Sequence, residues 1–280
     1  MAKYNKDLIS EKIISLIDDR LLDIKTRWYT EPQRTDITRA IFIEQAKDWF
    51  ENSKINNITG FEHFPVVDVI QGCTQFFENI ILKHGRDGVQ TLPIEYAYYS
   101  LMGIYGTELG KLDPGKPLLI SLPHYASGDI RPEWEDILAE CEQKNIDIHI
   151  DMAWIVKSRD ISLDLSHPCI KSVGMSLSKL GMEWNRIGLR WARQQEMDSI
   201  TIANHYYKGQ VNTGAMACGS FFMQNIDRDY VWNTYREQHN EICQELDLES
   251  TKFIHVARSK QSGRILCIRR LFTEPTPGNI

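Results

Sequence analysis

The 280-residue sequence lacks the usual marks of disulfide, zinc and membrane proteins. Its six cysteines are widely scattered, with no C-x-x-C pair and no Cys/His spacing typical of zinc sites. We therefore expect reduced thiols in a cytoplasmic protein and no metal centre. The segment MAKYNKDLISEK lacks the apolar core of a signal peptide, and no apolar run approaches the roughly 20 residues that span a bilayer.

The chain also lacks a basic excess. Its 32 Lys and Arg residues against 38 Asp and Glu residues give a net charge of -6. Such a chain repels nucleic acid and anionic membranes on average, so we expect neither as a partner, and any bound anion must be held by a local site. The composition, 42% hydrophobic and 25% charged, is typical of a globular protein with one large domain or two unequal lobes.

Two helices are predicted before residue 55. Residues 7–28 carry apolar side chains at helical spacing along one broad stripe. After a break at Pro32, a second helix is predicted over 37–51, with Thr35 or Asp36 as its cap. Residues 52–60 read as a loop.

From residue 65 onward, short β-rich runs alternate with amphipathic helices. Strands are predicted at 65–70, 88–93, 117–122, 146–151 and 169–178, and helices at about 74–84, 129–145 and 187–197. This alternation predicts an α/β fold, with a mostly parallel sheet flanked by helices on both faces.

The last segment predicts a different architecture. Residues 252–272 read as two antiparallel strands joined by a turn at 260–263. We expect a small α+β lobe formed by both termini (1–54 and 216–280), which leaves 55–215 as the large domain.

Four motifs follow predicted strands or open helices, where ligands gather in open α/β sheets. They are GCT (72–74), PHYASGD (123–129), DMAW (151–154) and SLSK (176–179). Gly72 allows close backbone approach, and the amides of Cys73 and Thr74 at a helix start suit a phosphate; an ordinary capped helix is the alternative. Asp151 ends an apolar strand, where it either pairs with a protonated ring nitrogen or caps a helix or surface turn.

The segment SLSKLGMEWNRIG (176–188) combines a lysine with two candidate phosphate ligands. A lysine near a phosphate and other cations loses its proton more readily and attacks a carbonyl to form a Schiff base, whereas alone Lys179 is an ordinary surface lysine. Ser176 and Arg186 are the candidate ligands, through a hydroxyl and a guanidinium fork.

These motifs, in this order, resemble fold-type I enzymes that use pyridoxal 5′-phosphate, in particular class I/II aminotransferases. The resemblance covers about 55–195, and more loosely the C-terminal part. It implies that Asp151 holds the pyridine nitrogen, that Lys179 carries the Schiff base and that Arg186 binds the cofactor phosphate. It also implies that Tyr96, in IEYAYY, stacks on the pyridine ring; core packing is the alternative.

Two departures concern the environment of the cofactor's 3-hydroxyl. The family's N-P-x-G reads YASG at 125–128, so that Tyr125 stands in place of an asparagine. The family's D-x-A-Y reads DMAW at 151–154, so that Trp154 stands in place of a tyrosine. Both replacements change the groups that face this oxygen. We therefore expect the cofactor ring to differ from that of the family in how it acts as an electron sink. The Lys-to-Arg spacing also looks one residue short.

The substrate carboxylate has two candidate partners. The chain is shorter than typical members of the family, whose small domain supplies an arginine near a late strand. Arg269 in CIRRLF is favoured slightly over Arg264 in SGRIL, because Arg264 also suits the hairpin turn. Two ordinary surface arginines are the alternative.

The resemblance implies a homodimeric aminotransferase of amino acid metabolism, acting on an amino acid and a 2-oxo acid through 1,3-proton transfer. The changes at Tyr125 and Trp154 leave other pyridoxal-phosphate chemistry open, namely elimination by a lyase, decarboxylation or racemisation. A non-catalytic descendant that binds a partner is the third alternative.

Overall fold

The computed structural model describes residues 3–31, 36–206 and 210–273. Its helices in this part of the chain are α1 (Asp19–Thr30), α2 (Arg39–Glu51), α3 (Gly72–His84), α4 (Ala97–Leu101), α5 (Trp134–Lys144), α6 (Ser199–Thr201), α7 (Thr213–Asn225) and α8 (Tyr230–Glu245). Its strands are β1 (Asn57–Thr59), β2 (Val66–Ile70), β3 (Gln90–Thr91), β4 (Leu118–Ser121), β5 (Ile148–Asp151), β6 (Ser162–Asp164), β7 (Ile170–Ser176), β8 (Gly188–Ala192), β9 (Leu248–Ser250), β10 (Val256–Ser259) and β11 (Ile265–Cys267). None of the described helices is long and apolar enough to cross a bilayer.

The main sheet has six strands in the order β2-β8-β7-β5-β4-β3. Strands β3, β4, β5 and β7 pair in parallel, whereas β8 runs antiparallel to both of its neighbours, β7 and β2. Helices cover this sheet, so the predicted α/β fold with a mostly parallel sheet is confirmed. Two short strands, β1 and β6, form a separate parallel pair. Strand β1 lies within the predicted loop at 52–60.

Apolar layers cover the two faces of the sheet. Along β4, Leu118 and Ile120 belong to the larger core, whereas Leu119 belongs to a second core that contains Phe76 and Ile80 of α3. Alternate strand residues point to opposite faces, so a strand buried on both sides reads as a continuous apolar run. This is why PLLISL at 117–122 is recognisable from the sequence.

The predicted helix at 187–197 is wrong, because residues 188–192 form β8 and residues 193–197 form neither helix nor strand. Leu189 and Trp191 enter the larger core, whereas Arg190 lies on the other face and is buried between two carboxylates. Its Nη2 donates to Asp68 at 2.6 Å, and its Nη1 pairs with Asp198. The alternation of GLRWA is that of a strand, but an arginine inside it conceals the pattern until its distant partners are known.

The predicted helix at 7–28 is correct only in its second half. Helix α1 begins at Asp19, and the Asp18 carboxylate caps it by accepting from the Leu21 amide at 2.9 Å. Residues 13–18, called the N-terminal segment below, form no helix. Their carbonyls bond distant side chains instead: Leu16 O accepts from Lys157 Nζ at 2.7 Å. Tertiary partners therefore override the local helical spacing.

The second predicted helix is confirmed as α2. Its cap is Thr38, whose hydroxyl accepts from the Ile41 amide at 3.3 Å, and not Asp36. The other predicted cap, Thr35, and the predicted break at Pro32 lie outside the described residues.

A separate three-stranded antiparallel sheet has the order β11-β10-β9. It contains the predicted strand pair at 252–272, with β9 as a third strand that the sequence did not indicate. The N-terminal part of the chain joins this sheet through a bridge between Ser10 and Cys267. The boundaries of the two-lobe division stay a prediction.

Gly188→Ala should destabilise the protein by about 3 kcal/mol, because a methyl group there would overlap the backbone of β7. A Cβ at Gly188 would collide with Met175 O and lie 2.8 Å from Ser176 Cα. The control is Gly214→Ala in α7, where the nearest atom is Asn212 Oδ1 at 3.5 Å. Urea denaturation should give the control a midpoint at or above that of the wild type; equal midpoints for the two variants would contradict the close β7–β8 packing.

The buried lysine predicts a pH dependence of stability. Lys157 is fully buried, and this burial lowers its pKa to about 7. An unfolded lysine has a pKa of about 10.4, so between these values the unfolded chain binds more protons than the folded one. This group therefore makes the free energy of unfolding rise with pH in that window, by up to about 1.4 kcal/mol per unit, and level off below pH 7.

Lys157→Met should reduce that slope in urea titrations at pH 7, 8 and 9, and the remainder should include the contribution of Lys179, whose pKa is also lowered by burial. Lys111→Met, at an exposed position, should leave it in place. A slope in Lys157→Met equal to that of the wild type would show that other groups produce it.

Candidate active site

One cavity gathers the predicted motifs at the carboxyl ends of the parallel strands. Its walls come from the start of α3, the segment before α4, and the ends of β4, β5 and β7. The lining residues are Cys73, Thr74, Phe77, Tyr96, Ser121, Tyr125, Asp151, Ala153, Trp154, Ser178, Lys179 and Arg186. The structure thus places next to one another residues that are distant in the sequence, although their roles stay predictions.

The start of α3 forms a cradle with the β7 loop. Gly72 has a φ of +77°, and a Cβ at this position would lie 3.5 Å from Arg186 Nε and 3.6 Å from Ser176 Oγ. The hydroxyls of Ser176 and Ser178 are 2.6 Å apart. Amides at the first turn of a 13-residue helix, two hydroxyls and a guanidinium are the donors that a phosphate dianion prefers.

Asp151 ends β5 at the floor of the cavity and is only 8% exposed. Its Oδ1 accepts from the Ala153 amide at 2.8 Å. Burial raises the pKa of this carboxyl, against the opposing effects of that amide, the Cys73 thiol, Lys179 and Arg186. A carboxyl in such surroundings gains from a close cation, such as a protonated ring nitrogen.

Lys179 lies in a 3-10 turn, Ser178–Leu180, that directly follows β7. Its backbone oxygen accepts from Ser15 Oγ at 2.6 Å, and its Nζ lies 4.2 Å from the centroid of the Trp154 ring. Burial lowers the pKa of this amine, and Arg186 lowers it further, while Asp151 opposes both effects. A lowered pKa increases the fraction of neutral amine, which is the nucleophilic form.

The aromatic wall consists of Tyr96, Tyr125 and Trp154. The rings of Tyr96 and Tyr125 are 6.4 Å apart at 60°, and burial raises the pKa of both phenols. Tyr96 also contacts Phe77 at 6.3 Å, so this ring both packs on the second core and lines the cavity.

The two candidate arginines have different surroundings. Arg264 is 70% exposed and pairs with Glu11 at 2.7 Å, away from the cavity. Arg269 is half-buried, and its Nη1 donates to Ser15 O at 2.9 Å. Because Ser15 also bonds Lys179, the N-terminal segment connects Arg269 to the lysine.

A buried ion pair behind the cavity was not predicted from the sequence. Arg131 Nη2 donates to Glu95 Oε1 at 2.7 Å, and the two side chains are only 9% and 2% exposed. Glu95 Oε2 also accepts from the Ser121 amide at 3.1 Å. The pair thus connects the segment that carries Tyr96 to the end of β4. No local pattern marks it, because its members are far apart in the chain.

Four further residues that line the cavity were not predicted from the sequence as site residues: Ser178, Ser121, Phe77 and Ala153. For Ser178 there was a signal, since Ser176 and Ser178 flank one residue at the end of a predicted strand. Among the described residues, no group of three or more His, Cys, Asp or Glu side chains is arranged to hold a metal ion.

Glu95→Ala should destabilise the protein by about 3 kcal/mol, because it leaves the Arg131 guanidinium buried without its main partner. Glu133→Ala is the matched control, since Glu133 contacts the same arginine at 3.3 Å but is 39% exposed. The loss of stability in Glu133→Ala should stay within about 1 kcal/mol. Urea denaturation measures both, and equal losses would show that burial of the Glu95 pair is unimportant.

Comparisons with known proteins are informative only at the level of structure. No protein-family model matches the sequence, and no curated protein matches it. Solved structures do match. The aromatic aminotransferase from Pyrococcus horikoshii OT3 is 14% identical, with a TM-score of 0.60 over 90% of this chain and 80% of that chain.

Two further structures show the range of activities with this fold. An aspartate aminotransferase double mutant from Thermus thermophilus is 12% identical, with a TM-score of 0.59 over 88% of this chain and 74% of that one. The pyridoxal-phosphate-bound C-S lyase from Staphylococcus hominis is 12% identical, with a TM-score of 0.56 over 86% and 71%. The chain therefore has the aminotransferase-like fold of the fold-type I pyridoxal-phosphate-dependent enzymes, as its motifs predict.

Proposed function

We propose that this protein is a pyridoxal-phosphate-dependent enzyme that acts on an amino acid, with transamination as its reaction. The observation that carries the proposal is that Asp151, Lys179 and Arg186 line one cavity, and that Arg186 also bounds the phosphate cradle at Gly72 and Ser176. Each feature alone has an ordinary structural explanation, but the three together match the three parts of one cofactor: a ring nitrogen, an aldehyde and a phosphate.

The residues of the cavity fit this cofactor. The space beside Gly72 that a methyl group would fill is bounded by Ser176 and Arg186, and α3 begins at Gly72, so that its first backbone amides have no partner within the helix. These groups would hold the phosphate. Asp151 would hold the ring nitrogen, and Tyr96 would stack on the ring. When bound, the cofactor supplies an electron-withdrawing ring that stabilises negative charge at the substrate Cα.

Lys179 is proposed as both the attachment point and the general base. Among the described residues that line the cavity, it carries the one amine. Its lowered pKa leaves more of the amine neutral near neutral pH, so that its Nζ can take a proton from the substrate Cα and would deliver it to the cofactor carbon on the other side of the substrate nitrogen, as a 1,3-proton transfer requires. Asp151 stays ionised beside a cation and keeps that cation protonated.

Arg269 is proposed to bind the substrate carboxylate. Its position next to Ser15, whose hydroxyl bonds the Lys179 backbone, supports it over Arg264, which is paired with Glu11 at the surface. A guanidinium fork suits a carboxylate.

Elimination is the second candidate reaction. Tyr125 and Trp154 line the cavity where the family pattern has an asparagine and a tyrosine, and a C-S lyase shares the fold. Products separate the candidates: a 2-oxo acid formed only with an amino acceptor indicates transamination, whereas a 2-oxo acid with free ammonia indicates elimination.

A homodimer is also proposed. Ile94, Leu101 and Tyr105 are 73%, 84% and 74% exposed, and they flank Tyr96 of the cavity wall in one short stretch of chain. Exposed apolar side chains of this size are typical of a surface that another subunit covers.

Turnover of a panel of amino acids should depend on Lys179. With pyridoxal phosphate and 2-oxo acid acceptors present, Lys179→Ala should lower kcat by more than about 100-fold, the usual contribution of a general base. The variant should still bind the cofactor through its phosphate. The control Lys171→Ala removes a lysine that pairs with Asp147 at the opposite end of the sheet.

The absence of any amino acid turnover or cofactor absorbance in the wild type would contradict the enzyme proposal and favour a partner-binding descendant. Equal turnover in Lys179→Ala and wild type would show that Lys179 is not the base.

A further inference from the structure

The indole of Trp154 contacts both the amine of Lys179 and a group of buried rings. The Nζ of Lys179 is 4.2 Å from the centroid of the indole. The ring of His255 stacks on the same indole at 5.1 Å and 22°, and the ring of Phe253 packs at 5.3 Å and 46°. Both residues directly precede β10 of the three-stranded sheet. Their packing against the indole therefore connects its orientation to that sheet.

The imidazole of His255 behaves here as a flat neutral ring. It is fully buried, and neither of its nitrogens has a hydrogen-bond partner among the described residues. Burial lowers its pKa well below the ordinary value, and the nearby cations Lys157, Lys179 and Arg269 lower it further. A neutral ring supports the indole without adding a positive charge that would repel the amine.

We propose that Trp154 is a positioning residue for Lys179, whose ε-ammonium group it holds on the indole face by a cation–π contact before any ligand binds. The contact is electrostatic, since the face of the indole carries partial negative charge and binds cations better than phenol or phenyl rings do. It holds the amine at the cavity floor without a carboxylate partner at salt-bridge distance.

The balance of charges around the amine makes this contact important. Asp151, Cys73 and Glu183 favour the charged amine, whereas burial and Arg186 favour the neutral one. The charges of Lys157 and Arg269 act on the nearby ring of His255. No salt bridge joins Lys179 to a carboxylate in the described part of the chain. A strong ion pair would fix the charged form, whereas an indole face stabilises it weakly and releases it when a carbonyl arrives.

An alternative role for Trp154 is donation of its indole N–H to a bound ligand. The two roles differ in when they act. A cation–π contact shifts the pKa of Lys179 in the ligand-free protein, whereas N–H donation acts only on a ligand that is present. A measurement on the ligand-free protein therefore distinguishes the two roles.

The test is the pKa of Lys179 in full-length protein freed of any bound cofactor. Trace acetylation with acetic anhydride between pH 6 and 10, followed by mass-spectrometric mapping, gives the pKa of individual lysines. Site-specific replacement of Trp154 by mono-, di- and trifluorinated tryptophan weakens the negative face at nearly constant volume. We expect the pKa of Lys179 to fall stepwise with fluorine number, by about 0.5–1 unit in total.

The experiment also includes a second variant and an internal reference lysine. Trp154→Phe keeps an aromatic ring that binds cations less well, so it should lower the pKa of Lys179 in the same direction. Lys111, exposed and distant from this stack, serves as the internal reference in every sample and should not shift. The same pKa of Lys179 across the fluorinated series and in Trp154→Phe would overturn the proposal. Because no cofactor is present, the result is independent of whether pyridoxal phosphate binds.

Discussion

The pairing of β4, β5 and β7 in parallel is the constraint on which the site depends. In this register Ser121 lies opposite Asp151, and Asp151 lies opposite Gly174. The three strands therefore end at one edge and place their following loops together. Gly174 also lets Phe76 of α3 approach, since a Cβ there would lie 2.8 Å from that ring. Helix α3 thus packs closely on β7, with its first turn beside Ser176.

The cavity holds opposite charges without neutralising them as a close ion pair. Asp151 and Lys179 influence each other's pKa, yet the amine rests on Trp154, and the carboxylate accepts from a backbone amide. Burial raises the pKa of the acid and lowers that of the amine, so burial disfavours the ionised form of each group. A ligand with its own cation and anion would relieve both effects. Such a local site would let a chain of net charge -6 bind an anion.

The motifs of the site were predictable because they are local. Gly72, Asp151 and Lys179 lie at or just after the ends of apolar strands, and a few adjacent residues are enough to recognise each position. Parallel pairing then brings such strand ends together. Features that depend on distant partners were not predictable. The helix expected at 187–197 is a strand whose Arg190 needs two remote carboxylates, and residues 13–18 lose their helix to contacts with Lys157 and Lys179. The burial of Glu95 and His255 likewise has no local signature.

The most direct test of the account is to identify the residue that binds pyridoxal phosphate covalently. The purified protein would be incubated with the cofactor, reduced with borohydride, digested and mapped by mass spectrometry. The account predicts one dominant phosphopyridoxyl modification, on Lys179, and its loss in Lys179→Ala. Modification spread over exposed lysines, with Lys179 unmodified, would contradict the assignment of this cavity as a cofactor site.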